Sequence, residues 1–120
     1  MTKKIRAVIV DDEIHCVETL TWQMSQYCPE INLVSSFVDA VECRDFLAEN
    51  DVDLLLVDVE MPMLNGIDML AAVSNPKLNV VYTTAYGDIE GLDDSRVMAV
   101  LLKPIDHSEL TAVVERLTKA

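Results

Sequence analysis

The chain has 120 residues, the size of one ordinary domain, and 51% of them are hydrophobic, enough for a core built from Val, Leu, Ile, Ala and Met. Nine basic residues against 21 acidic ones leave a net charge of −12, which argues against nucleic-acid binding and against docking on an anionic membrane, since both need surplus cations. High hydrophobicity excludes disorder, and no apolar run approaches the roughly 20 residues of a membrane span.

Ile5 to Val10 is a short β-branched run that breaks at Asp11. It predicts a first strand and is too short for a signal-peptide core with a cleavage site. Residues 13–27 have helical spacing, with Ile14, Val17, Leu20, Met24 and Tyr27 on one stripe, Trp22 read as helix packing, and Pro29 closing the segment. Ile31 to Phe37 predicts a second strand, and Asp39 to Glu49 a second helix with Val41, Phe46 and Leu47 inward. Leu54 to Val57 is apolar at every position, as a strand covered on both faces must be, so it belongs in the middle of a parallel sheet. A loop with Pro62, Asn65 and Gly66 leads to a helix around 67–73. Asn79 to Thr84 and Met98 to Leu102 predict the fourth and fifth strands, and 107–118 a last helix with Leu110, Val113, Val114 and Leu117 inward and Asp106 or Ser108 near its cap. Between the last two strands, Gly87, Gly91 and the pair Asp93-Asp94 predict a helix that is short or frayed. Cys16, Cys28 and Cys43 have no metal-ligand spacing and read as small buried hydrophobes, reduced in a cytoplasmic protein. His15 and His107 read as isolated surface or cap residues. Strands alternating with helices give an α/β domain with an open parallel sheet.

In such sheets ligands bind outside the carboxyl ends of the strands. The first strand ends in Asp11-Asp12-Glu13, the third in Asp58, the fourth in Thr83-Thr84 and the fifth in Lys103-Pro104. If the first and third strands are neighbours, Asp11, Asp12 and Asp58 converge. Three close carboxylates repel one another and must hold protons or a cation, and oxygen donors alone suit Mg²⁺. An aspartate at a strand end is commonly only a helix cap, and Lys103 or Thr84 taken singly is ordinary; the joint pattern is not.

The segments Val8-Ile9-Val10-Asp11-Asp12-Glu13, Leu56-Val57-Asp58-Val59-Glu60-Met61-Pro62, Asn65-Gly66, Thr83-Thr84-Ala85 and Leu101-Leu102-Lys103-Pro104-Ile105 together resemble the receiver domain of bacterial two-component response regulators, from Ile5 to about Leu117. The resemblance implies a single receiver domain over 1–120, with any output domain absent or outside it. It implies a CheY-like, flavodoxin-like, doubly wound five-stranded parallel sheet of order 2-1-3-4-5 with helices on both faces. It further implies that Asp58 takes a phosphoryl group from a phosphohistidine on a sensor histidine kinase or phosphotransfer protein. Asp12, Asp58 and the backbone carbonyl of Glu60 would ligate Mg²⁺ or Mn²⁺, with Asp11 acting through water. Lys103 would pair with the phosphoryl oxygens, Thr84 would hydrogen-bond the group and report its arrival, and the Lys103-Pro104 peptide would be cis. Glu60 and Tyr86 would flank the hydrolytic water and tune the lifetime. The family uses the face of its fourth helix, fifth strand and fifth helix to form homodimers.

Many receivers carry an aromatic residue three positions before the lysine; here it is Val100, so a switch that couples the threonine to a turning ring must differ. Thr83-Thr84-Ala85-Tyr86 and Glu60 look most like receivers joined to LytTR-type DNA-binding domains. The main alternative is a pseudo-receiver that binds partners without phosphorylation. An aspartate-dependent phosphatase would need Asp-x-Asp, where this chain has Asp58-Val59-Glu60. A flavodoxin would need a phosphate loop where this chain has three acids.

Overall fold

The computed structural model describes residues 4–87 and 93–119. Five parallel strands, β1 (Ile5–Val10), β2 (Ile31–Phe37), β3 (Leu54–Asp58), β4 (Asn79–Thr84) and β5 (Val97–Leu102), lie in the order β2-β1-β3-β4-β5. The helices are α1 (Ile14–Tyr27), α2 (Ala40–Glu49), α3 (Gly66–Ala71) and α4 (His107–Thr118). The expected doubly wound sheet is therefore present. The helix expected between β4 and β5 falls across 88–92, outside the described residues, as does Gly91.

Alternation along the strands divides the core in two. Val8, Val10, Leu55, Val57, Val80 and Tyr82 pack against Cys43 and Leu47 of α2 and Met69 and Leu70 of α3. Ala7, Ile9, Leu54, Leu56, Val81 and Leu101 pack against Val17, Leu20 and Met24 of α1 and Leu110, Val113 and Val114 of α4. Every residue of β3 is buried, as its unbroken apolarity requires for the middle strand of five.

Caps set the helix starts. Asp39 accepts from the Val41 and Glu42 amides, Asn65 from Asp68, and Asp106 from Ser108, each satisfying donors that an α-helix leaves unpaired at its first turn. The cap of α1 is Glu13, whose side chain takes no helix amide. Asp11 instead accepts from the Glu13 amide at 2.9 Å, and Asp12 plays no part in capping.

Several expected inward positions face water. Ile14 and Trp22 are 51% and 56% exposed. At 100° per residue Trp22 lies about 200° round the helix from Leu20, on the opposite face. Tyr27, in the last turn, overhangs the core and stacks on His107 with ring centroids 4.1 Å apart, so His107 is not isolated. Val41 is exposed too. Among the cysteines, all free, Cys28 and Cys43 are buried but Cys16 is only half-buried.

Candidate functional site

The topology reverses between β1 and β3: the chain leaves β1 toward β2 on one side and returns to β3 on the other. Val10 pairs with Val57 there, so the residues that follow, Asp11 and Asp58, emerge side by side at the carboxyl edge. Both are buried, whereas Asp12 is exposed. Asp11, Asp12 and Asp58 each present a carboxylate oxygen within 4.8 Å of the others, which is the convergence expected of them.

Lys103 enters from the far side of the sheet. Thr84 and Leu102 are paired across β4 and β5, and the Lys103 amide donates to the Thr84 carbonyl at 2.8 Å. Its ammonium reaches Asp11 Oδ2 at 2.8 Å and Asp58 Oδ1 at 3.3 Å. The Lys103-Pro104 peptide is cis, as expected. Beyond it, Gln23 on α1 donates to the Ile105 carbonyl at 2.9 Å and ties the segment down. Gln23 went unnoticed in the sequence, yet a polar residue beside Leu20 and Met24 on the buried stripe is a recognisable signal.

The local charge does not balance: three carboxylates face one ammonium. Burial, followed by the negative charge of Asp11, pushes the Asp58 carboxyl up to about 7, against the opposing pull of Lys103. Burial pulls the Lys103 ammonium down, but the hydrogen bond and charge of Asp11, with the charge of Asp58, outweigh it and leave its pKa raised. Surplus buried negative charge presented by oxygen donors alone, at a strand edge open to solvent through Asp12, fits a hard divalent cation such as Mg²⁺.

The loop after β3 frames the acceptor. The Glu60 amide donates to Asp58 Oδ1 at 3.2 Å, and the Gly66 amide returns to the Val59 carbonyl at 3.0 Å. A Cβ on Gly66 would lie 2.5 Å from the Asp58 carbonyl oxygen, so only glycine lets α3 start this close to the acceptor strand. Within the loop Met63 has a positive φ of 69° and is 99% exposed, an uncommon conformation for a side-chain-bearing residue.

The two expected tuning residues occupy unequal places. Tyr86 is 67% exposed, and its backbone engages the site, the amide donating to Thr84 Oγ1 at 3.0 Å and the carbonyl lying 3.2 Å from the same hydroxyl. Glu60 does more than flank: its carboxylate accepts from the Thr84 hydroxyl at 2.8 and 2.9 Å and from the Ala85 amide at 3.1 Å. Thr84, 1% exposed, is thus already engaged by a neighbouring anion. Val100 lies on edge strand β5, 36% exposed, where an aromatic ring would be expected.

Known proteins resemble this chain in sequence and fold. The chain is 29% identical over 117 residues to the transcriptional regulatory protein HptR of Staphylococcus aureus, covering 95% of this chain and 46% of that protein. It is 27% identical over 122 residues to protein MrkE of Klebsiella pneumoniae, covering 98% of this chain and 45% of that protein. The chain thus spans about half the length of these curated relatives. The crystal structure of the response regulatory domain of MrkE superposes with a TM-score of 0.82 at 25% identity, with 96% of each chain covered. The isolated REC domain of RcsB from Salmonella enterica serovar Typhimurium, determined in the presence of the phosphomimetic BeF₃⁻, shares the fold with a TM-score of 0.85 at 20% identity, covering 98% of this chain and 91% of that one. The model of the response regulator receiver domain matches residues 7–115, nearly the whole sequence and every element of the sheet, and the chain belongs to that family.

Proposed function

We propose that Asp58 accepts a phosphoryl group from the phosphohistidine of a sensor histidine kinase or phosphotransfer protein, and that the change controls a downstream output in the cytoplasm. The convergence of Asp11, Asp12 and Asp58 within 4.8 Å, with Lys103 against two of them, carries this reading. In the transfer an Asp58 carboxylate oxygen bonds to phosphorus as the phosphorus–nitrogen bond breaks. The electron pair stays with the leaving imidazole. Such a transfer needs positioning and charge neutralisation more than covalent assistance. Asp58 must be ionised to attack, and Lys103 favours that form. The Glu60 amide holds the acceptor's Oδ1, and the Lys103 ammonium is placed to move from carboxylate to phosphoryl oxygens. Asp12, Asp58 and the Glu60 carbonyl, with Asp11 through water, would hold Mg²⁺ or Mn²⁺, which when bound supplies neutralisation of the converging negative charge.

The RcsB receiver, whose structure was determined in the presence of a phosphomimetic, supports the same use of this fold. The name of HptR, a transcriptional regulatory protein, supports transcription as the output. Exposed Val100 and Leu102 on β5 support a homodimer through the face that β5 and α4 help to form. The test is incubation with acetyl phosphate and Mg²⁺. One base-labile phosphoryl group should be added per chain, and Asp58→Asn or EDTA should abolish it. Labelling that survives Asp58→Asn would place the acceptor elsewhere.

A further inference from the structure

The hydroxyl of Thr84 has one proton to give. The Tyr86 amide donates to its oxygen at 3.0 Å, which leaves that proton for an acceptor; the Tyr86 carbonyl lies 3.2 Å away, but the two Glu60 carboxylate oxygens are nearer, at 2.8 and 2.9 Å, and charged. The Ala85 amide donates to the same carboxylate at 3.1 Å. Two neighbouring donors at the carboxyl end of β4 therefore converge on one anion. That anion is carried two residues beyond Asp58, by a residue whose own amide holds the Asp58 carboxylate at 3.2 Å. Strand register explains the reach: Asp58 pairs with Thr83, so the chains leaving β3 and β4 run on as neighbours.

We infer that the Glu60 carboxylate is a tethered stand-in for the phosphoryl group, holding the Thr84 hydroxyl and Ala85 amide until a phosphoryl group on Asp58 displaces it. The inference rests on Asp58 being the acceptor. A phosphoryl group there brings up to about two negative charges and three strong acceptor oxygens. It repels the Glu60 carboxylate and competes with it for the same two donors. No covalent bond is involved in the exchange. Thr84 and Ala85 trade one anion for another, and Glu60 is released toward solvent, where much of it already lies. Glu60 is on this account a positioning residue that opposes loading. It supplies a switch that uses no ring at position 100: the moving part is the Glu60 side chain, together with the loop that carries it.

Two measurements test this. In the unphosphorylated protein, Glu60→Ala should move the Ala85 amide proton resonance upfield, because a charge-assisted hydrogen bond is lost; Glu60→Gln, which keeps an acceptor but no charge, should move it part of the way. Beryllofluoride with Mg²⁺, binding at Asp58, then reads the competition. Glu60→Ala should bind it roughly five- to tenfold more tightly, the range for losing a partly exposed charge-assisted competitor. A loss of negative charge alone would tighten binding through the field, whatever Thr84 does. The same comparison in a Thr84→Val background separates the two: the gain should shrink to roughly twofold, while Thr84→Ser, which keeps the donor, should preserve it. An Ala85 resonance indifferent to Glu60→Ala would overturn the inference. So would a gain that persists in full with Thr84→Val, or an unchanged affinity in Glu60→Ala while the wild type binds. A wild type that takes no beryllofluoride at Asp58 would instead bring down the reading of the site, and the displacement step with it.

Discussion

Asp58 and Asp94 each face a basic side chain, at opposite edges of the sheet, and the two pairs are built differently. At the amino edge, Asp94 takes the Arg96 guanidinium in a fork, Nε to Oδ1 at 3.0 Å and Nη2 to Oδ2 at 2.8 Å. The remaining guanidinium N–H groups go to the carbonyls of Leu70, Val73 and Asn75 at 2.9, 2.6 and 3.1 Å. The donors of one arginine are thus spent on an aspartate and on carbonyls at and just beyond the end of α3. Hydrogen bonds from Arg96 hold the Asp94 carboxyl down at about 2. At the carboxyl edge one ammonium is divided between Asp11 and Asp58, Asp12 adds a third carboxylate, and the Asp58 carboxyl is pushed up to about 7. Proximity of opposite charges is common to both. Saturation is not: the pair at the amino edge is complete and holds the fold, whereas the cluster at the carboxyl edge is left short of positive charge, as a binding site is.

The largest effect should come from breaking the saturated pair. Arg96→Ala takes the donor from the Val73 carbonyl, one donor from each of the Leu70 and Asn75 carbonyls, which keep the Val73 and Leu78 amides, and the guanidinium fork from a partly buried carboxylate, and should destabilise the chain by about 3 kcal/mol in urea unfolding. Arg96→Lys keeps the charge but has at most three donors and no fork, so it should recover only about half of that loss. Full recovery by lysine would mean that charge, not geometry, fastens α3 to the start of β5.

The site should respond in the opposite sense. In metal-free buffer the folded-state pKa of Asp58 lies above its ordinary carboxylate value. Below pH about 4 the folded and unfolded chains both carry the proton, and its contribution is fully present. As pH rises toward 7 the unfolded chain gives up the proton first, and that stability is lost. Asp58→Asn has no proton to lose. It should match the wild type near pH 4 and exceed it above pH 7, by on the order of 2 kcal/mol once sharing among Asp11, Asp12 and Lys103 is allowed for. The measurement is urea unfolding of both chains with EDTA across that range. A mutant advantage that is constant with pH would assign it to packing instead.

How far each region could be read from the sequence follows the same division. The carboxyl edge was legible because function places residues by topology: Asp11, Asp58, Thr84 and Lys103 sit directly at or after strand ends, and strand ends are visible as breaks in apolar runs. Gly66 was noticed only as a loop residue of the receiver motif; that its missing Cβ lets α3 start against the Asp58 carbonyl was not legible. Nor was Arg96. It lies outside any periodic segment, and apart from Asp94 its side-chain partners are backbone carbonyls more than 20 residues away, which leave no mark on the sequence. The hold of Glu60 on Thr84 was hidden likewise: the position drew notice, but a hydrogen bond from the end of β4 to a loop side chain depends on a rotamer. Ile14 and Trp22 were misjudged because hydrophobicity alone does not fix a helix face; the buried Gln23, bonded to Ile105, takes a place that an apolar residue would have been expected to fill.

A divalent cation should narrow the contrast between the two edges. Only the folded chain brings Asp11, Asp12 and Asp58 together, so Mg²⁺ bound there stabilises the folded state by mass action. With a dissociation constant of about 1 mM, 10 mM Mg²⁺ contributes roughly 1.4 kcal/mol. It should also flatten the pH dependence between 4 and 7, because the cation takes the place of the proton on the carboxylates. Asp12→Asn removes a ligand from the solvent side without opening a hole in the core, since Asp12 is exposed, and should reduce the Mg²⁺ increment to a few tenths of a kcal/mol. Arg96→Lys, at the other edge, should keep the whole increment on top of its lower baseline, because sites so far apart add. The check is a set of urea titrations with and without Mg²⁺ on the three chains, at constant ionic strength so that general screening cancels. Equal increments in wild type and Asp12→Asn would show that Mg²⁺ acts on the net charge of −12 rather than at the aspartate cluster.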